Sequence, residues 1–417
     1  MDDAGWRRTL DSTAVSLASR PSWRASLVGC VLVAMTLASC TATSVSTPTP
    51  SVRPSASDST STVPVSTSAP TPTPFPPAPL GFRPLSLTFV SPTDGWVIGT
   101  GACAMSCVWV YHTTNGGATW TRSGAPPAYF PIYGCYELAL PCVDTMRFAT
   151  PARGYTFGAN WGDVYMTSNG GTTWSLAPIT DVSALALAGD YALRLQAADG
   201  GCTTGECQLK RSTNGGLTWS SAGQPVLTPE GLGGNVFLQS DGYAYAVGYG
   251  NPAGGGPETA ELYRSRDFGA TWTYENDPCS NGSPGRPITV VVGAAAGGVL
   301  GIDCLAEEGG AQRGFVVVSL DGGARFGPPH AAPPSFAVFA VGSAEVLAEA
   351  TSAGLSVSHN GGVTWHATYA CPSINQGDQG IQFVGFETAH VAHLICGNAI
   401  ARSTDGGLSW ATYRFPS

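Results

Sequence analysis

From about residue 84 onward, apolar residues fall in short runs separated by breaks rich in Gly, Ser and Pro, four runs to a unit. In the first unit the runs are residues 85–90, 95–99, 108–112 and 119–123; in the last they are 381–386, 390–396, 399–402 and 409–413. Runs this short, bounded by turn residues, predict β-strands. Two stretches of a different kind precede them. Residues 27–38 are an unbroken apolar run of 12, and residues 41–79 are almost wholly Thr, Ser, Pro, Ala and Val without any periodicity.

The break between the third and fourth runs is itself repeated. It reads Ser403-Thr404-Asp405-Gly406-Gly407-Leu408-Ser409-Trp410 in the last unit and recurs at 113–120, 167–174, 212–219, 265–272, 319–326 and 358–365, at intervals of 39 to 54 residues. Its acid or amide is Asn115, Asn169, Asn214, Asp267, Asp321, Asn360 or Asp405, and its aromatic is Trp120, Trp174, Trp219, Trp272, Phe326, Trp365 or Trp410. Two copies are degenerate: Phe268 stands where the others have their first Gly, and Phe326 where they have Trp. An Asn or Asp side chain bonds the backbone amides that follow it, and a Gly pair takes positive φ, so the segment closes a hairpin on its own. The aromatic then buries a large apolar surface against the neighbouring sheet.

These residues resemble the Asp-box, or BNR repeat, of sialidase-like β-propellers, and the likeness covers about the last four-fifths of the chain. Self-similarity at a fixed period is the mark of a repeat architecture. Seven units of four strands imply an all-β chain, a seven-bladed propeller of four-stranded antiparallel blades over residues 80–417. No spare strand is visible at either end to stitch the ring shut. In sialidases the boxes are structural, and catalysis uses an arginine triad, a Tyr/Glu nucleophile pair, an Asp acid/base and an early Phe/Tyr-Arg-Ile-Pro motif. Phe82-Arg83-Pro84 is the nearest counterpart here and lacks the Ile, so Arg83 is a weak candidate for a carboxylate-binding arginine. Seven boxes also depart from six-bladed sialidases and are more similar to the non-enzymatic propellers of photosystem II assembly factors.

Composition agrees with a strand-rich chain. Gly 54 and Pro 32 with 11% charged residues suit many tight turns. The formal charge is −9; without the first 39 residues Lys+Arg 15 stand against Asp+Glu 25, and Lys210 is the sole lysine. Nothing there forms a basic stripe for phosphates, so nucleic acid is excluded as a partner.

The apolar run follows Arg7, Arg8, Arg20 and Arg24 and falls short of the roughly 20 residues that span a bilayer. It reads as an export signal over residues 1–39. Leu37-Ala38-Ser39-Cys40 is similar to the lipobox of bacterial lipoproteins, which implies acylation of Cys40 and anchoring to the outer face of the cell membrane. Residues 40–79 then serve as a disordered linker.

Ten cysteines remain once Cys30 and Cys40 are set aside, and in an exported domain they are expected in disulfides. Locality pairs Cys103 with Cys107, Cys135 with Cys142, Cys202 with Cys207, Cys279 with Cys304 and Cys371 with Cys396, although other connectivities stay open. All five pairs fall at the blade end opposite the boxes. The Tyr-rich crossover there, with Tyr129, Phe130, Tyr133 and Tyr136, is therefore the candidate recognition surface, or else a cover for the gap between blades.

Catalytic and metal chemistry finds little support. Glu307 and Glu308 are adjacent residues in a hairpin, not a spaced acid/base pair. His390 and His393, three apart on one expected strand, would point to opposite faces. No cysteine cluster has histidines at ligand spacing, and no cofactor motif appears. The sequence thus reads as a monomeric, surface-anchored lipoprotein whose non-catalytic propeller binds an unknown protein or glycan. The alternative is an exported sialidase-like glycoside hydrolase.

Overall fold

A computed structural model describes residues 81–101, 107–129, 142–158, 163–197, 207–227, 231–250, 259–275, 278–279, 286–308, 311–334, 338–371 and 380–416. These form seven four-stranded antiparallel sheets, each of four consecutive strands, with no helix among them. The innermost strands are Arg83–Phe89, Thr145–Phe148, Val182–Ala188, Gly231–Leu238, Arg286–Ala295, Phe339–Val341 and Ile381–Phe386, one from each of blades 1 to 7. The architecture is the seven-bladed propeller read from the repeat.

Core residues lie between blades, not at one centre. Leu193 and Leu195 of blade 3 meet Val236, Ala244 and Ala246 of blade 4. Tyr245 and Val247 of blade 4 meet Val292, Leu300 and Ile302 of blade 5. Alternate residues of each second strand thus serve the two neighbouring interfaces, which is the period of two expected of a strand buried on both faces.

Each of the seven turns builds the same hydrogen-bond set. The N–H of the second glycine donates to the Ser or Thr hydroxyl that opens the turn at 2.7–3.0 Å in all seven. The acid or amide Oδ1 accepts the N–H of the residue before the aromatic at 2.8–2.9 Å, also in all seven. The first glycine has φ between 68° and 73° in six turns, and Phe268 adopts 58° in the seventh. That conformation is costly for a bulky residue. Phe268 is held in it by stacking on Tyr191 of blade 3 at 3.9 Å and by a 2.7 Å bond from Arg211 Nε to its carbonyl.

The Asp405 carboxyl is held down to about 2, chiefly by the hydroxyl and N–H of Ser409. Asp267 is likewise held down to about 2, its bonds to Thr271 outweighing the opposing effect of burial. A depressed folded-state pKa contributes stability above the unfolded value and loses it as pH falls, here between roughly 4 and 2. The triple variant Asp267→Asn, Asp321→Asn, Asp405→Asn places in these turns the amide that four others already use. Urea midpoints of this variant should fall less steeply than wild type below about pH 4. Parallel curves would remove the turns as a source of acid sensitivity.

The ring closes without strand exchange. Gly81 N–H donates to Pro416 O at 3.0 Å, and Phe82 packs edge-on against Phe415 at 4.6 Å. Phe82 and Leu87 of blade 1 share a buried cluster with Ile395 and Ile400 of blade 7. His393 adds a polar clasp across the same seam: its Nε2 faces Gly116 O of blade 1 at 3.3 Å, and its ring stacks on Phe89 at 3.8 Å.

The strand bounds correct one sequence reading. His390 is not on a strand; the second strand of blade 7 is Ala392–Cys396, and His390 sits in the preceding turn, where its carbonyl accepts Gly406 N–H at 2.9 Å. The fully buried His393 is thereby separated from the exposed His390 by a change of element.

Candidate functional site

The first and third turns of every blade lie at one end of the ring and are tied together there. The N–H of the third turn's first glycine, or of Phe268, donates to a carbonyl of the first turn: Thr93, Ala152, Asp190, Gly242, Gly298, Glu345 or His390, at 2.6–3.0 Å. The repeated turn therefore fixes the position of the loop that follows each innermost strand. Those loops form the mouth of a central cavity of about 860 Å³.

Five blades line the cavity with the end of an inner strand and the turn after it, and blade 2 adds Arg147. The walls are apolar: Leu87, Phe89 and Val90 from blade 1, Leu238 from blade 4, Val299 from blade 5, Val341 from blade 6, and Phe383 and Phe386 from blade 7. Hydroxyls of Ser91, Ser240, Ser343 and Thr388 stand around the rim. Pockets of this size and lining hold small or extended ligands through many apolar contacts and a few polar ones.

Two ionisable side chains line the wall. Glu387 is committed to His393, whose Nδ1 lies 2.9 Å from its Oε2. Arg147 has Nη1 fixed by Met146 O at 2.8 Å and Ser86 Oγ at 3.2 Å. Burial pulls its pKa below the usual guanidinium range. Gln239 completes the polar set; its Oε1 and Nε2 are buried in the wall with no hydrogen-bond partner.

The residues singled out in the sequence are distributed as follows. The seven acids or amides and seven aromatics all occupy the turns just described, behind the rim and not in the cavity. Tyr129 is half-buried at the other end, where its backbone bridges Cys107 on one side and Cys142 on the other. Phe130, Tyr133 and Tyr136 lie outside the described residues, as do Cys40, Cys103, Cys135 and Cys202. Cys279–Cys304 ties the end of blade 4 to the second strand of blade 5, and Cys371–Cys396 does the same for blades 6 and 7. Cys107, Cys142 and Cys207 are also disulfide-bonded. Arg83 opens the first inner strand, at the end away from the cavity mouth. Glu307 and Glu308 pair with Gln312 and Ala311 at the close of a long hairpin in blade 5. Among the described residues no three His, Cys, Asp or Glu side chains converge as metal ligands.

Sequence reasoning did not find Arg147, Gln239 or Glu387. Each is one residue from one blade, and nothing within a blade marks it. A faint signal exists for what stands behind them. The second strand starts with a small residue followed by a ring in Gly95-Trp96, Gly154-Tyr155, Ala244-Tyr245 and Ala392-His393. Three of these rings reach the first glycine's carbonyl in the next blade's turn: Trp96 Nε1 to Gly170 O at 3.0 Å, Tyr155 OH to Gly215 O at 2.7 Å, and His393 to Gly116 O.

No protein-family model matches the chain, and no curated protein sequence does either. Solved structures do. An ancestral GH74 enzyme is similar over 82% of this chain at 13% identity and a TM-score of 0.52, this chain matching 48% of its length. A PL25 ulvan lyase is similar over 80% of this chain and 96% of its own, at 10% identity and a TM-score of 0.50. YCF48 from Cyanidioschyzon merolae matches 65% of this chain and 85% of its own at 20% identity, with a TM-score of 0.44. Identities this low establish the propeller fold alone.

Proposed function

We propose that this chain is an exported, lipid-anchored binding module built on seven Asp-box blades, with the central cavity as its ligand site. The observation that carries the reading is the pairing pattern of the cavity's charges. Its carboxylate, Glu387, is tied to a buried histidine, while its cation, Arg147, has no acid partner among the described residues. Most glycosidases need two carboxyl groups facing one bond, and sialidase-like ones an arginine triad, whereas the cavity lining holds one carboxylate and one arginine. An apolar funnel with one uncompensated cation suits retention of a ligand instead. The leader and lipobox supply the export and the anchor, with Cys40 as the acylated residue.

A plugged cavity tests this. Ser240 and Ala296 are exposed on the rim of blades 4 and 5, so Ser240→Trp with Ala296→Trp fills the mouth without entering the core. Defined peptide and glycan arrays probed with both proteins should show ligands retained by wild type and lost by the double variant, with no array member converted to product. Ligands held equally by both proteins would move the site elsewhere. Turnover of an array glycan would replace binding by catalysis.

A further inference from the structure

We infer that the cavity takes the C-terminal end of an extended peptide whose last residues are apolar, its terminal carboxylate seated on Arg147. This rests on the cavity being the ligand site and adds the class of ligand.

The guanidinium is half engaged and half open. Met146 O and Ser86 Oγ occupy Nη1 and thereby fix the plane of the group. Among the described residues Nε and Nη2 have no hydrogen-bond partner, and Arg147 lines the cavity. Those two nitrogens present the side-on fork that meets the two oxygens of a carboxylate through parallel N–H bonds. A charge in a largely apolar enclosure is unfavourable unless it is paired, and a bound carboxylate would pair it. The Phe89, Phe383 and Phe386 rings, with Val299 and Val341, offer apolar contact to the side chains upstream of that carboxylate.

The unbonded amide of Gln239 separates a peptide from other apolar acids. It has a donor and an acceptor with neither satisfied. A turn of the side chain toward the cavity gives both a partner in one peptide unit, which presents the complementary N–H and C=O. A fatty acid has no donor to return, and an inorganic anion has no use for the apolar wall.

The probe is a fluorescein-labelled hexapeptide with three apolar C-terminal residues, made as the free acid and as the C-terminal amide and titrated by anisotropy. Wild type should bind the acid at least tenfold more tightly than the amide. Arg147→Met should abolish that preference, and Arg147→Lys should restore part of it. Gln239→Leu should weaken acid and amide alike by several-fold without lowering the melting temperature, because it removes only unbonded polar atoms. Equal binding of acid and amide by wild type overturns the carboxylate assignment, and if Ser240→Trp/Ala296→Trp still blocks both, the cavity remains the site. Peptide binding that survives the plug overturns both readings. Palmitate bound where no peptide binds overturns the peptide assignment. Should Arg147→Met fail to fold, the acid-to-amide ratio in wild type and in Arg147→Lys decides the matter.

Discussion

His393→Ala should lower the unfolding free energy by about 2–4 kcal/mol, from the cavity left by a buried ring and the buried hydrogen-bond partners it leaves unsatisfied. His393 is fully buried at the seam between the last blade and the first. It makes three contacts at once: Nδ1 to Glu387 Oε2 at 2.9 Å, Nε2 to Gly116 O at 3.3 Å, and a stacked ring on Phe89 at 3.8 Å and 11°. Alanine removes all three and strands the Glu387 carboxylate, whose side chain is only 13% exposed. The seam is also where residues 81 and 416 of the ring meet, so its loosening is not shared with a continuous strand. Urea denaturation followed by circular dichroism measures the loss, and Glu387→Gln in the same background should add little once the histidine is gone. A loss below about 1 kcal/mol would mean that the Phe82–Phe415 packing carries the closure unaided.

Trp96→Ala is expected to cost a comparable 3–5 kcal/mol, as removal of a large core aromatic does. The indole is fully buried between His112 at 4.4 Å and Phe148 of blade 2 at 3.9 Å, with both planes within 11° of its own. Its Nε1–H donates to Gly170 O in the turn of blade 2. Trp96→Phe separates the two contributions. The stack survives in part and the carbonyl loses its donor, so about 1–3 kcal/mol should be lost. Equal losses for Ala and Phe would assign the whole effect to the hydrogen bond, and a near-neutral Phe would assign it to the ring. Melting curves of the two variants against wild type decide between them.

The sequence showed best what is settled within eight residues. Each repeated turn satisfies its own polar groups, so its residues are dictated locally and recur in every blade. Even the copy with Phe268 keeps the bond from its N–H to Gly242 O. Blade number and strand order followed from that repetition. The bounds of outer strands were less legible: 119–123 was expected in the first blade and Thr121–Arg122 is observed, because Trp120 ends the turn and does not yet pair. Ring closure was not legible either, since Phe82 and Phe415 stand 333 positions apart. Hydrogen bonding across a sheet has a period to read, whereas packing across a seam has none. The cavity failed to show for a related reason. Its lining residues differ from blade to blade at matching places, as Val90, Gln239 and Glu387 do, each donating its N–H to a carbonyl across the first turn. Repetition reveals what the blades share, and a ligand site is made from what they do not.

Every inner strand runs toward the cavity mouth, so the first of them begins on the far side of the ring, just after Gly81. The direction of a single strand thus puts Gly81 and the cavity opening on opposite faces of the ring, with no change to any residue that lines the cavity.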